Sequence, residues 1–108
     1  MPLTGPQLAA VSHLFAVLSE PRRLTLLQAL QGGGKTVNQL VEACGMKQAN
    51  VSKHLAALHH QRLVGRERNG NSIRYAISDP IVFSLCDLVC RKMAKDAKEL
   101  VAVFHPDI

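Results

Sequence analysis

Gly45 separates two short runs of helical periodicity, and no other feature narrows the fold as much. Before it, "TVNQLVEAC" sets Thr36 and Gln39 at the spacing of a capping box and carries a short helix through Val41 to Cys44. After it, "QANVSKHLAALHHQRLV" repeats Val51, Leu55 and Leu58, extended by Leu63, at intervals that place them on one side of a second helix. The intervening "GMKQAN" leaves room only for a tight turn, so the pair predicts a helix-turn-helix over about 36–61.

The flanks complete a mainly α chain with a small β-hairpin. Leu8, Val11, Leu14, Phe15 and Leu18 predict a first helix over about 6–18. Leu24, Leu26, Leu27 and Leu30 predict a second, capped by Ser19 with Pro21 in its first turn and stopped by "QGGGK". Beyond Gly65 the rhythm alternates, and "LVGRERNGNSIRYAI" reads as two strands around an Asn69-Gly70 turn, a wing over about 63–77. "SDP" opens a last helix over about 80–104, with Ser78 or Asp79 as cap and Pro106 beyond its end. Such a helix is too long for a core this small. Paired with another copy of itself, and joined by the first helix, it predicts a homodimer, with Leu85, Val89 and Met93 at the interface. The 108 residues are read as one winged helix-turn-helix domain.

Charge indicates what the middle of the chain meets. The net charge is +5, and residues 47–75 hold Lys47, Lys53, Arg62, Arg66, Arg68 and Arg74 against Glu67 alone, which accounts for the whole excess. The opening turns of the second helix of the pair offer Gln48, Asn50, Ser52, Lys53 and His54 with no carboxylate, a set suited to the base edges and phosphates of a DNA groove. Lys47 stands at its entry. His54 points nearer the core on the helical wheel, so a bond to local backbone competes with a base contact. Arg66, Arg68, Asn69, Asn71 and Arg74 make the hairpin a phosphate or minor-groove element.

Two classes of location and chemistry are disfavoured. No segment approaches the roughly 20 apolar residues of a membrane span, and Met1 to Pro6 lack a signal-peptide pattern, which predicts a cytoplasmic protein with no membrane partner. Three cysteines, an odd number, suggest reduced thiols. Without a Cys–His–acid grouping, a phosphate loop or paired carboxylates, the chain is not expected to be an enzyme.

Together, "LSEPRRLTLLQAL", "TVNQLVEACGMKQANVSKHLAALHHQRLV" and "RNGNSIRYAISDP" resemble the ArsR/SmtB family of small bacterial winged helix-turn-helix repressors over almost the whole chain. The resemblance implies a homodimer that blocks a promoter at an inverted-repeat operator in double-stranded DNA and leaves it when a metal, metalloid or thiol-reactive signal arrives. Two family ligand sets are missing. The arsenic-type site needs closely spaced cysteines where only Cys44 stands, and the zinc-type site would fall on Asp79-Pro80-Ile81 and Lys92-Met93-Ala94-Lys95, where only Asp79 is a ligand. Lys47 and Asn71 replace residues common in the family at the helix entry and the wing tip.

Cys86 and Cys90 are the sensing candidates that remain. One turn apart, they share a face with Val82, Val89, Met93, Ala97, Leu100 and Phe104, which fits small apolar packing in the core or dimer interface. The same pair, near Arg91, Lys92 and Lys95, fits capture of a thiophilic metal or metalloid ion, or thiol modification across the twofold axis. Both readings stay open, with Cys44 next in line as a sensor. His13, His59, His60 and His105 show no ligand spacing. The function expected is a DNA-binding transcriptional repressor; the alternatives are a winged-helix module that binds protein, or a regulator with no inducer and purely structural cysteines.

Overall fold

The computed structural model describes residues 2–104. In chain order the elements are α1 (Gly5–Leu18), α2 (Pro21–Leu30), β1 (Lys35–Thr36), α3 (Val37–Cys44), α4 (Gln48–His60), β2 (Val64–Asn69), β3 (Ser72–Ile77) and α5 (Ile81–Phe104). The fold class is the expected one, mainly α with a small antiparallel sheet. Pro106 and His105, expected beyond the last helix, lie outside the described residues.

Local chemistry sets most of the boundaries. Thr36 and Gln39 close the capping box of α3, and Gly45 ends the helix in the left-handed region at φ 65°, which a side chain would disfavour. A second capping box, Thr4 with Gln7, starts α1. Ser19 does not cap α2. Its hydroxyl donates back to the Ala16 carbonyl at the end of α1, and the Glu20 carboxylate accepts the Arg22 N–H in its place. At α5, Asp79 accepts from the Ile81 N–H, while Ser78 donates to the Arg62 carbonyl and ties the sheet to the preceding turn.

The hairpin pairs Val64 with Ile77 through Asn69 with Ser72 around Gly70, and a strand that the sequence reading omitted, β1, adds on the other side of β3 in the order β1-β3-β2. Its two residues carry no alternation that could mark them as a strand. They pair because the turn after α2 brings Lys35 opposite Tyr75, and Lys35 Nζ also donates to the Ala29 carbonyl.

The core gathers Leu26, Leu27 and Leu30 of α2, Leu40 of α3, Val51, Leu55 and Leu58 of α4, and then Leu63, Val64, Tyr75 and Val82. This cluster fixes α4 against α2 and α3 and hangs the hairpin from its end. α1 and α5 stand apart from it. α1 has no buried residue, and α5 buries only Val82. From Asp87 onward every residue of α5 is exposed, including Leu88, Val89, Met93, Leu100 and Phe104.

Candidate nucleic-acid interface

α4 presents two unlike sides because its sequence alternates at helical period. Val51, Leu55 and Leu58 turn into the core, and Gln48, Ser52 and Lys53 turn to solvent. Lys47, at the N-cap, is exposed and makes no side-chain capping bond, and Asn50 is half-buried. No acid occurs anywhere in α4, so the partial positive charge of its N-terminus and the lysines stand unopposed along the helix.

His54 is withdrawn from this outward set. It was expected among the DNA-facing residues, yet it is 5% exposed, and its Nδ1 accepts a hydrogen bond of 3.1 Å from Arg23 Nε on α2. Burial first, and the Arg23 guanidinium second, hold its pKa below the ordinary histidine value, with Glu20 opposing and Lys53 and Arg22 reinforcing. The partner lies 31 residues earlier in the chain, and no local spacing links the two.

The wing carries Arg66, Arg68, Asn69, Asn71 and Arg74 on exposed positions. Arg74 is partly committed, since it donates to the Gly34 carbonyl at 3.1 Å and so joins β3 to the loop before β1. Between the wing and the paired helices runs an open groove lined by Thr36, Val37, Asn38, Gln48, Asn71, Ser72 and Ile73. Asn38 and Ser72 are not singled out by the sequence, and Thr36 only as a helix cap, because the groove exists only once the wing folds back beside the N-termini of α3 and α4. Its hydroxyls and amides are neutral donors and acceptors of the kind that meet phosphate and sugar.

The two cysteines of α5 differ in surroundings. Cys86 is half-buried against the core and Cys90 is exposed. Both line an apolar groove of about 340 Å³ with Phe15, Leu18, Ser19, Leu24, Leu85 and Val89. The neighbouring cations are engaged along the helix: Arg91 pairs with Asp87 at 2.8 Å, Lys92 with Asp96, and Lys95 with Glu99 at 3.9 Å. Among the described residues, no three His, Cys, Asp or Glu side chains gather where they could hold an ion. One protomer thus brings two thiols to this groove. Cys44 lies elsewhere, half-buried at the end of α3, and burial pushes its thiol pKa up against the opposing pull of Lys35. No helix among the described residues is long and apolar enough to cross a membrane.

Comparison with known proteins adds four likenesses. The family model for the bacterial regulatory proteins of the arsR family matches residues 20–65, which span α2, the paired helices and the start of the wing. The chain is 36% identical to the probable mercury resistance operon repressor of Streptomyces lividans over 89% of its own length and 74% of that protein. It is 38% identical to the HTH-type transcriptional regulator NmtR of Mycobacterium tuberculosis, covering 80% of this chain and 72% of that one. Among solved structures, the homodimeric winged helix-turn-helix DNA-binding domain from Mycobacterium bovis, described as a possible ArsR-family transcriptional regulator, superposes with a TM-score of 0.71 at 28% identity, covering 89% and 90% of the two chains.

Proposed function

The chain belongs to the ArsR family of bacterial regulatory proteins, and from that premise we propose that it is a cytoplasmic, homodimeric repressor that reads an inverted-repeat operator through α4 and the wing. Like its family and relatives it is a transcriptional regulator and not an enzyme. The observation that carries the DNA reading is the acid-free exposed side of α4, continued by the basic wing across the polar groove. Lys47, Gln48, Asn50, Ser52 and Lys53 enter the major groove; Arg66, Arg68, Asn69, Asn71 and Arg74 hold the backbone beside it.

Dimerisation supplies the second reading head. Leu8, Val11 and Phe15 of α1 and Val89 and Met93 of α5 are exposed apolar residues that the described residues leave uncovered, and in this proposal a second copy covers them. With the two recognition helices related by a twofold axis, the operator has twofold symmetry as well.

The signal, in this proposal, arrives at Cys86 and Cys90. Their groove lies between α1, α2 and α5, so an ion held by the two thiols, or their modification, acts where the helices of the dimer meet the core. A bound thiophilic ion would supply strong bonds to sulfur; the chain's own part is to hold both sulfurs one helical turn apart beside the apolar side chains of Phe15, Leu24 and Val89. The mercury resistance relative is consistent with such a ligand class.

Two measurements test the proposal. Affinity for a duplex selected from a randomised library should fall steeply with salt, and Lys53→Ala should weaken it by about 1–3 kcal/mol if Lys53 reads a base. A flat salt response would indicate a protein-binding module instead. The same affinity is then read under reductant, mild oxidant and mercuric ion. Loss of binding in wild type but not in the Cys86→Ala, Cys90→Ala double variant supports sensing; an unresponsive wild type makes the cysteines structural.

A further inference from the structure

Arg23, in the first turn of α2, reaches in two directions. Its Nη1 donates to the Val17 carbonyl near the end of α1 at 3.3 Å, and its Nε donates to His54 Nδ1 on α4 at 3.1 Å. Arg23 is half-buried and His54 almost fully buried, so water does not readily replace either bond. Among the described residues, His54 is the polar or charged side chain that is buried; the other buried side chains are the hydrophobic core. A leucine at position 54 would pack there without desolvating a polar ring, so simple core filling does not require a histidine.

A guanidinium only donates, so Nδ1 must be the unprotonated nitrogen of the ring, with the proton on Nε2. The bond therefore exists only while His54 is neutral. The charged groups facing His54 are Arg23, Arg22 and Glu20 from α2 and its cap, and Lys53 from α4 itself. Three cations against one carboxylate oppose a charge on the ring.

On the reading that α4 is the DNA-recognition helix, we propose that Arg23 and His54 form a positioning clamp: neutral His54 ties α4 through Arg23 to the end of α1, and protonation of His54 opens the clamp and weakens operator binding. The proton comes from solvent and occupies Nδ1, where it displaces the Arg23 N–H and sets two cations side by side. Because α1 carries exposed apolar residues that a second copy covers in the proposed dimer, the clamp fixes how α4 sits relative to the dimer axis. Neither residue touches DNA in this arrangement; both act through α4.

The sign follows from the neutral ring being the form that the fold favours. The stability and affinity that the clamp contributes are present above the ordinary histidine value of 6.5 and are lost as pH falls through the depressed one. Acidification otherwise adds positive charge to the protein and so strengthens its general attraction to phosphate. A fall in affinity on acidification thus separates the clamp from general electrostatics.

The test uses a duplex recovered by the wild-type protein at neutral pH from a randomised library, titrated in steps from about pH 7.5 down to about pH 4.5, so that the series runs well below the ordinary histidine value of 6.5. Wild-type affinity should fall at least about fivefold, the lower end of ordinary coupling between sites. His54→Asn, whose Oδ1 stands in the place of Nδ1 and can still accept from Arg23 but does not titrate, should keep wild-type affinity at the higher pH and show no fall. His54→Leu, with the acceptor gone, should bind weakly throughout. Parallel profiles for wild type and His54→Asn, or unchanged binding by His54→Leu at the higher pH, would overturn the clamp while leaving the DNA reading intact. Recovery of no duplex would overturn the DNA reading and the clamp with it.

Discussion

Individual side chains show where a sequence pattern stops being informative. The direction of Lys53, Ser52 and Gln48 followed from helical period alone, whereas His54 sits at the edge of the wheel and its environment is made by an arginine on another helix. The cysteines divide in the same way. Their shared face on the last helix was legible, but the core reaches only as far as Cys86 and leaves Cys90 exposed, so their unequal surroundings were not. Reactivity should follow. Native-state alkylation read by mass spectrometry should modify Cys90 first and Cys44 last, because Cys44 is partly covered and burial disfavours its thiolate. Equal rates at all three would mean that the protomer opens faster than it reacts.

Elements were legible where their ends carry their own chemistry. The capping box at Thr36 and the stop at Gly45 each commit a few residues to a single geometry, and the structure keeps both; the hairpin turn falls one residue later than expected, on Gly70 and Asn71, because Asn69 still pairs with Ser72 and Gly70 supplies the positive φ. Ser19 and β1 depart from the expectation for different reasons: the Ser19 hydroxyl finds a local acceptor three residues back, the Ala16 carbonyl, whereas β1 is paired by tertiary placement beside β3. α4 begins without a cap bond, at Lys47, although a helix of this kind gains from Ser, Thr, Asp or Asn there. The omission is explained if Lys47 faces phosphate. Lys47→Ser should raise stability to denaturant by about 0.5–1 kcal/mol while weakening DNA binding. A variant that gained stability with no loss of affinity would remove Lys47 from the interface.

The whole molecule is elongated, 62 × 37 × 21 Å, because α5 extends past the core it helps to close. A 24-residue helix is about 36 Å long, and only its first turns find partners in the protomer. Val89 and Met93 are 55% and 63% exposed, so Val89→Glu and Met93→Glu should leave the protomer folded. At a dimer interface the same charges cost several kcal/mol. Sedimentation should therefore show folded monomers that have lost operator affinity. Dimers that survive both changes would place the subunit contact elsewhere.

The central claim is that two copies present one α4 and one wing each to the same DNA, and a hydroxyl-radical footprint on a selected duplex tests it most directly. Two protected half-sites should appear, related by a dyad and separated by about one or two helical turns, roughly 10–20 bp. Protection of a single, unpaired half-site would contradict it.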